Sequence, residues 1–267
     1  MQTVARQIRC DIIKMIHTAG SGHPGASLSA VEILTALYFN VMNVDPEHPR
    51  WMQRDRFILS KGHACPVYYA ALARRGFFPV TELATLRRIG SRLQGHPDMN
   101  KTPGVDMTSG SLGNGLSCGA GMALAARMDG LACRIYVLLG DGEIQEGVVW
   151  EAAMTAAHYS LDNLCAIIDN NRLQLDGYTR DVMNVDPIDD KWRSFGWNVI
   201  AADGHDLDSL VWAFDSAGQA KGQPTVIIAN TTKGRGVSFM EDECDWHGRW
   251  PTKQEAESAL LELGDAP

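Results

Sequence analysis

Residues 134–142 read Arg-Ile-Tyr-Val-Leu-Leu-Gly-Asp-Gly and decide the fold. A short apolar run that ends in Gly-Asp-Gly predicts a buried strand followed by a tight turn. After this run, strand-like and helix-like patterns alternate along the chain. The predicted strands are 134–139, 164–168, 197–202 and 225–229, and the predicted helices between them are 148–159, 189–195 and 207–217. This alternation predicts an α/β fold, a doubly wound and mainly parallel sheet with helices on both faces.

The chain before residue 134 is predicted to be mainly helical. Its predicted helices are 4–18, 29–39, 67–75, 81–88 and 116–128, its one predicted strand is 57–60, and a last helix is predicted at 256–263. Since the sequence contains no internal repeat, low-complexity tract or flexible linker, we expect residues 1–267 to form a single domain.

The composition argues against several classes of protein. The 267 residues include 24 Lys and Arg against 32 Asp and Glu, a formal net charge of -8, so nucleic acid is not an expected partner. The apolar runs are far shorter than the roughly 18 residues of a membrane span, so no membrane association is expected. The N-terminal residues contain no signal-type apolar region, and we expect a cytoplasmic protein.

Oxygen-bearing side chains follow two consecutive predicted strands. Asp141 lies in the Gly-Asp-Gly turn, and Asn171 follows the next strand, 30 residues later. Because the carboxyl ends of parallel strands meet at one edge of a sheet, both side chains are expected at the same place. A carboxylate, an amide oxygen and a nearby backbone carbonyl are hard ligands that suit Mg²⁺ or Ca²⁺. Gly140 and Gly142 would let the backbone approach an anion closely.

Gly-Asp-Gly followed by a helix and by Asn at the thirtieth position resembles the signature of enzymes that use thiamin diphosphate. The resemblance narrows to the amino-terminal half of transketolase, because seven motifs occur in the transketolase order. They are Ser21-Gly-His-Pro-Gly25, Leu59-Ser-Lys-Gly-His-Ala64, Gly95-His-Pro97, Gly110-Ser-Leu-Gly-Asn-Gly115, Gly140-Asp-Gly-Glu-Ile-Gln-Glu-Gly147, Lys233-Gly-Arg-Gly236 and Trp246-His-Gly248. One departure is Ser111, where many transketolases have proline, and it concerns the rigidity of that loop.

The resemblance implies a set of binding residues. Asp141, Asn171 and the carbonyl of Leu173 would hold the metal, Mg²⁺ with Ca²⁺ as a substitute. The residues implied to bind thiamin diphosphate are His63, Gly110, Leu112, Gly140, Asp141, Gly142, Glu143, Asn171 and His247. The loop that holds Lys233 and Arg235 lies at the same edge, where the two side chains either contact a phosphate or are solvated.

Four histidines beside glycines are the candidate catalytic residues: His23, His63, His96 and His247. Imidazole suits a reaction in which protons are given and taken at hydroxyls and carbonyls near neutral pH. The resemblance implies such a reaction, the transfer of a two-carbon ketol unit from a ketose (phosphate) to an aldose (phosphate) in carbohydrate metabolism. The enzyme would be a transferase of the transketolase type.

Enzymes of this family bind the cofactor between two modules, and this sequence resembles only the one that holds the diphosphate. The other supplies a glutamate for the pyrimidine ring and the arginines that bind the acceptor phosphate. We therefore expect a split transketolase, in which a separate C-terminal subunit carries the pyrimidine-binding module. Two copies of each chain, an α2β2 heterotetramer, are the simplest expected assembly.

Two alternatives remain. The chain could be a subunit of another thiamin diphosphate enzyme, such as a 2-oxo acid dehydrogenase or decarboxylase, although a 2-oxo acid would not explain the four histidines. It could also be a non-catalytic scaffold chain, which would be expected to have lost Asp141 or Asn171. A dinucleotide-binding domain is not favoured, since no Gly-x-Gly-x-x-Gly stands between a predicted strand and helix.

Overall fold

A computed structural model describes residues 1–265 and contains a five-stranded, all-parallel sheet. The strands are β1 Arg56–Leu59, β2 Ile135–Gly140, β3 Leu164–Asn170, β4 Asn198–Asp203 and β5 Thr225–Asn230. They lie in the order β1-β2-β3-β5-β4. All five predicted strands are confirmed. Residues 266 and 267, which end the predicted 1–267 domain, lie outside the described residues.

Ten α-helices occur in the described part of the chain. They are α1 Gln2–Ala19, α2 Pro24–Leu28, α3 Val31–Ala36, α4 Cys65–Arg75, α5 Asn114–Met128, α6 Gly147–His158, α7 Thr179–Val182, α8 Ile188–Ser194, α9 Leu207–Gln219 and α10 Lys253–Glu262. Short 3₁₀ helices add residues 62–64, 80–85, 142–145 and 244–247. The helix α10 begins with a capping box, in which Thr252 and Glu255 bond each other's backbone.

The helices cover both faces of the sheet, as the doubly wound prediction requires. On one face, α1, α3, α4 and α9 bury a hydrophobic core that includes Leu138 and Ile167. On the other face, α5, α6 and α8 bury a second core that includes Val137 and Ile168. Successive strand residues therefore point to opposite cores, which is why these strands are apolar throughout.

Two predicted helices are wrong in their bounds. The segment 29–39 was expected to be one helix, but Ser29 and Ala30 separate α2 from α3, and a π-helical turn follows at Leu37–Val41. The Ser29 hydroxyl donates to the buried carboxylate of Asp169, a tertiary contact that holds the interruption in place.

The segment 81–88 was also expected to be a helix. The structure has a 3₁₀ helix at Val80–Thr85, after which Leu86 is extended and Arg87 has a left-handed backbone (φ 60°). Leu86 is buried in the core, and the N–H of Arg87 bonds the carbonyl of Leu93 across the turn. The turn thus replaces the last helical residues.

Over residues 1–265, no helix combines the length and the hydrophobicity needed to span a membrane.

Candidate active site

The carboxyl ends of β2, β3 and β5 open onto a cavity of about 290 Å³. Nine of the twelve residues predicted for the site line it: His63, Leu112, Gly140, Asp141, Gly142, Glu143, Asn171, Leu173 and His247. His23, His96 and Gly110 do not line this cavity. The loops that follow neighbouring parallel strands meet here, as expected for a sheet of this kind.

Asp141 is a buried carboxylate at the end of β2. Its oxygens accept hydrogen bonds from the backbone N–H of Gly142, at 2.7 Å, and of Arg172. Burial, followed by the negative charge of Asp169, raises the pKa of Asp141 to about 7. A carboxylate that is costly to ionise without a counterion is stabilised strongly by a bound cation.

The loop after β3 brings two further oxygens to the same cavity. The side-chain oxygen of Asn171 accepts a hydrogen bond from the N–H of Leu173, at 3.1 Å. The amide nitrogen of Asn171 donates to Asp169, at 3.2 Å, which fixes the direction of the side chain. Arg172 has a left-handed backbone (φ 64°), and Leu173 lines the cavity directly after this turn. The three predicted metal ligands are therefore neighbours.

Asp169 links the loops around the cavity and was not among the predicted site residues. It is fully buried and accepts hydrogen bonds from Ser29, Lys61 and Thr231, besides Asn171. The ammonium of Lys61 lowers the pKa of Asp169 against the opposing effect of burial. Because these donors come from four different loops, this carboxylate holds the whole edge of the sheet together.

Lys233 is 1% exposed and lies beside the predicted metal ligands. Its Nζ donates to the carbonyl oxygens of Leu173, at 3.1 Å, and Gln174, at 3.3 Å, and to Nδ1 of His247, at 2.9 Å. Burial lowers the pKa of Lys233 to about 8. Of the two alternatives left open for this loop, solvation is wrong for Lys233, whereas Arg235 is exposed and bonds Glu241.

Three of the four predicted catalytic histidines form a cluster. The ring centroids of His23 and His63 are 5.1 Å apart, those of His63 and His247 are 5.2 Å apart, and those of His23 and His247 are 5.7 Å apart. Glycine makes this approach possible, because a Cβ atom at Gly25 would lie 2.9 Å from the carbonyl oxygen of Trp246. The loops that hold His23 and His247 are therefore in backbone contact.

The clustered imidazoles are neutral at physiological pH. Burial, followed by the charge of Arg87, lowers the pKa of His23 to about 4, and burial with the charge of Lys233 lowers that of His247 to about 3. Burial also places the pKa of His63 well below its usual range. Since an ammonium only donates, Lys233 makes Nδ1 of His247 an acceptor, and the proton of the neutral ring is on Nε2.

His96 lies against Gly110, where a Cβ atom would be 3.6 Å from the imidazole. The carbonyl of His96 accepts a hydrogen bond from Tyr69, at 3.1 Å, which fixes its backbone. Burial and the charge of Arg87 lower the pKa of His96, as they lower that of His23. Both histidines therefore lie near the same arginine, although neither lines the 290 Å³ cavity.

Glu143 forms part of the cavity wall, but its carboxylate is already engaged. It accepts hydrogen bonds from the N–H of Gly113, at 2.7 Å, from the N–H of Gly140, at 2.9 Å, and from the Ser60 hydroxyl. These donors belong to three separate loops, one of which carries Gly110 and Leu112. Glu143 thereby fixes the position of that loop relative to the Gly-Asp-Gly turn.

Sequence reasoning missed Lys61, Asp169 and Arg87 as parts of the site. Lys61 lies in the Lys-Gly-His motif, and Asp169 ends the apolar run of β3, so each carried a signal as a charged residue in an apolar context. What the sequence does not contain is the pairing of Lys61 with Asp169, which depends on how distant loops meet.

Comparisons with known proteins agree with this geometry. The family model described as "Transketolase, thiamine diphosphate binding domain" matches residues 1–267. The 6-deoxy-6-sulfo-D-fructose transketolase subunit SqwG of Clostridium sp. (strain MSTE9) is 48% identical over 98% of this chain and 96% of its own length. A subunit of the apulose-4-phosphate transketolase of Actinobacillus succinogenes is 47% identical over 99% of this chain and 96% of its own length.

Longer relatives match over part of their length. Human transketolase is 44% identical over 98% of this chain and 42% of its own length. The structure of a transketolase from Pichia stipitis in complex with sedoheptulose 7-phosphate has a TM-score of 0.95 and 33% identity, and it covers 100% of this chain and 41% of that one. Given the full-length match to the family model and relatives of this similarity, the chain belongs to the family of transketolase thiamine diphosphate binding domains.

Proposed function

We propose that this chain is the diphosphate-binding subunit of a split transketolase. It would move a two-carbon ketol unit from a ketose (phosphate) to an aldose (phosphate), together with a separate chain that carries the pyrimidine-binding module. One observation carries this proposal: hard oxygen donors and a cluster of neutral histidines lie in and beside one cavity. The subunit relatives, which this chain covers almost completely, support the division between two chains.

The residues around the cavity fit a divalent cation and a diphosphate. Asp141, the side-chain oxygen of Asn171 and the carbonyl of Leu173 are a ligand set for Mg²⁺, for which Ca²⁺ would be a substitute. In the structure the Lys233 ammonium already bonds that carbonyl, so a positive charge is accommodated there. Gly140 and Gly142 carry no side chain at the turn and would leave room for the diphosphate. Gly110 and Leu112 would lie on the aminopyrimidine side, and Glu143 would hold their loop.

When bound, thiamin diphosphate would supply the carbon nucleophile for breaking and forming the carbon–carbon bond. The histidines of this chain would bind the sugar and move its protons. His23 and His247 would act at the reacting oxygens of the donor, because neutral imidazole can accept a proton there. His63 would lie between the diphosphate and the substrate, and His96 would bind the hydroxyls of the two-carbon unit.

The nature of the substrates is proposed from the relatives. The Clostridium and Actinobacillus subunits are named for sugars that carry a sulfonate or a phosphate. We infer that this enzyme likewise takes an anionic sugar. We further propose an α2β2 assembly in the cytoplasm, because a two-fold arrangement is the simplest way to pair both modules at two sites.

The experiment is a native pull-down of this chain from its source cells, with mass spectrometry and a ketol-transfer assay. A companion chain with the pyrimidine module, and transfer only in its presence with thiamin diphosphate and Mg²⁺, would support the proposal. If the polypeptide recovered from the cells instead contained both modules, the split would be wrong and the transketolase assignment would stand. Transfer by this chain alone would contradict the need for the second module.

A further inference from the structure

Arg87 is a charged residue beside the candidate histidines that the proposed mechanism leaves unused. Its Nη1 donates to the hydroxyl of Ser21, two residues before His23. Its guanidinium lies along Gly95, where a Cβ atom would be 3.1 Å from Nε, and Gly95 directly precedes His96. Arg87 is therefore held between the two loops that carry His23 and His96.

The charge of Arg87 has no partner within residues 1–265. No carboxylate there forms an ion pair with it, and its Nε is buried without a hydrogen-bond acceptor. Other arginines at buried positions bond a carboxylate through two nitrogens: Arg9 with Glu32, Arg54 with Asp106 and Arg74 with Asp11. An uncompensated buried cation is costly, so its presence beside the active site indicates that a ligand supplies the missing charge.

The free edge of Arg87 has the geometry for an oxyanion. Arg74 bonds Asp11 through Nε, at 2.7 Å, and Nη2, at 2.9 Å. In Arg87 the same two nitrogens make no hydrogen bond within the described residues, and Nη1 alone is used. A planar guanidinium with this edge free is suited to phosphate or sulfonate oxygens.

The backbone of Arg87 adds an independent observation. Its φ of 60° is left-handed, a conformation that glycine adopts freely and long side chains adopt rarely. Non-glycine residues in this region cluster at ligand-binding and active sites, where the surrounding structure enforces them. Here the turn aims the side chain inward, whereas the neighbouring Arg88 is exposed.

We propose that Arg87 binds the anionic group of the sugar substrate, a phosphate or a sulfonate. This inference rests on the proposed function and deepens it, because it gives this chain its own residue for reading the substrate's charge. The lowered pKa values of His23 and His96, to which Arg87 contributes, are consistent with its charge reaching the same cleft.

The test compares Arg87→Gln, Arg87→Lys and the exposed control Arg88→Gln in the assembly with its companion chain. Steady-state kinetics are measured with fructose 6-phosphate, with the corresponding 6-sulfonate and with fructose. Arg87→Gln should raise KM for the charged donors by about 10- to 100-fold, the effect of losing a hydrogen bond to a charged group, and change KM for fructose by less than about threefold. Arg87→Lys should lie between, and Arg88→Gln should match the unmodified assembly.

The two anionic donors distinguish the source of the ligand charge, since the larger KM effect identifies the group that Arg87 prefers. An equal loss with charged and uncharged donors would overturn the proposal and leave Arg87 as a structural support for Ser21. Unchanged KM values would also overturn it.

A calorimetric titration of fructose 6-phosphate into the same assemblies needs no turnover. Weaker binding in Arg87→Gln alone would support the proposal even where ketol transfer is undetectable, so that its failure is separable from failure of the proposed function. Equal affinity in Arg87→Gln and Arg88→Gln would overturn it. Thermal melting and affinity for thiamin diphosphate, both expected to be unchanged, show that the variant is folded.

Discussion

At the scale of single residues, the site joins groups with opposite electrostatic needs. Asp141 is a carboxylate whose burial makes its charge costly, while Lys233 is a buried ammonium held by carbonyl oxygens and His247. The histidines beside them are neutral because burial and nearby cations oppose their protonation. The arrangement therefore favours binding of a cation at one side and proton acceptance at the other.

The metal assignment predicts the effect of Asp141→Ala. Removing this carboxylate should weaken Mg²⁺-dependent binding of thiamin diphosphate by more than about 100-fold, because losing even a residue behind a metal ligand costs up to that factor. The fold should remain, since the variant removes a buried charge. Calorimetry measures the affinity, and Asp176→Ala, an exposed position in the loop after β3, is the matched control. Unchanged affinity in Asp141→Ala would show that the metal assignment is wrong.

His247→Ala should slow ketol transfer by about 10²- to 10⁴-fold, the usual contribution of a group that transfers a proton. Its neighbours His23 and His63 would remain within the cluster, so substrate binding should change less than turnover. His48→Ala is the control, because that histidine is exposed and pairs with Asp45 far from the cavity. A variant with the normal turnover number would remove His247 from the proposed mechanism.

The lowered pKa values of His23 and His247 predict a loss of stability in acid. Their ordinary value is 6.5, and the folded values are about 4 and about 3, so below about pH 6.5 the unfolded chain binds protons that the folded chain does not. Stability contributed by these groups is present above that pH and falls as the pH decreases.

Melting temperatures at about pH 7.5 and about pH 5.5 measure this loss, which should be smaller in the double variant His23→Asn, His247→Asn. The raised pKa of Asp141 acts in the opposite direction in both proteins, and it cancels in the comparison. An identical decrease in both proteins would contradict neutral histidines in the folded chain.

Much of this site could be predicted because its residues occur in local motifs. Asp141 and Asn171 each follow an apolar run, and the histidines stand beside glycines. The bond of Asp169 to Lys61 could not be predicted, because the two residues are 108 positions apart and meet only after the loops fold over the sheet. The free charge of Arg87 was hidden for the same reason.

At the scale of elements, strands were predictable and two helical segments were not. The central strands β2, β3 and β5 are buried on both faces, so their apolar pattern is unbroken and independent of detail. The interruption after α2 depends on Ser29 reaching Asp169, and the end of the 3₁₀ helix at Thr85 depends on Leu86 entering the core. Tertiary contacts of this kind override local helical preference.

The contact between α5 and β2 depends on Gly119. A Cβ atom there would lie 2.5 Å from a methyl carbon of Val137, whereas one at Gly121, also in α5, would meet nothing within 4 Å. Gly119→Ala should therefore destabilise the protein by about 1–3 kcal/mol through overpacking. Gly121→Ala should be neutral or stabilise it by up to about 1 kcal/mol, because alanine favours the helix. Urea unfolding of both variants measures the difference, and equal stability would show that α5 lies farther from the sheet.

At the scale of the whole molecule, the sheet presents one edge of loops that contains the diphosphate half of a proposed two-module site. The subunit relatives indicate how the other half would be supplied, because this chain covers 96% of two of them and 42% of human transketolase. Neutral histidines and a metal site would then act only where a second module completes the cavity. Sequence motifs predicted this division, while the assembly itself depends on a chain with its own sequence.

The central claim is tested most directly by titrating the companion chain into a fixed amount of this chain, with thiamin diphosphate and Mg²⁺, while measuring ketol transfer. The account predicts no transfer at zero companion, a rise with each addition and saturation at equal amounts of the two chains, as an α2β2 assembly requires. Full transfer without the companion, or no transfer at any ratio, would contradict it.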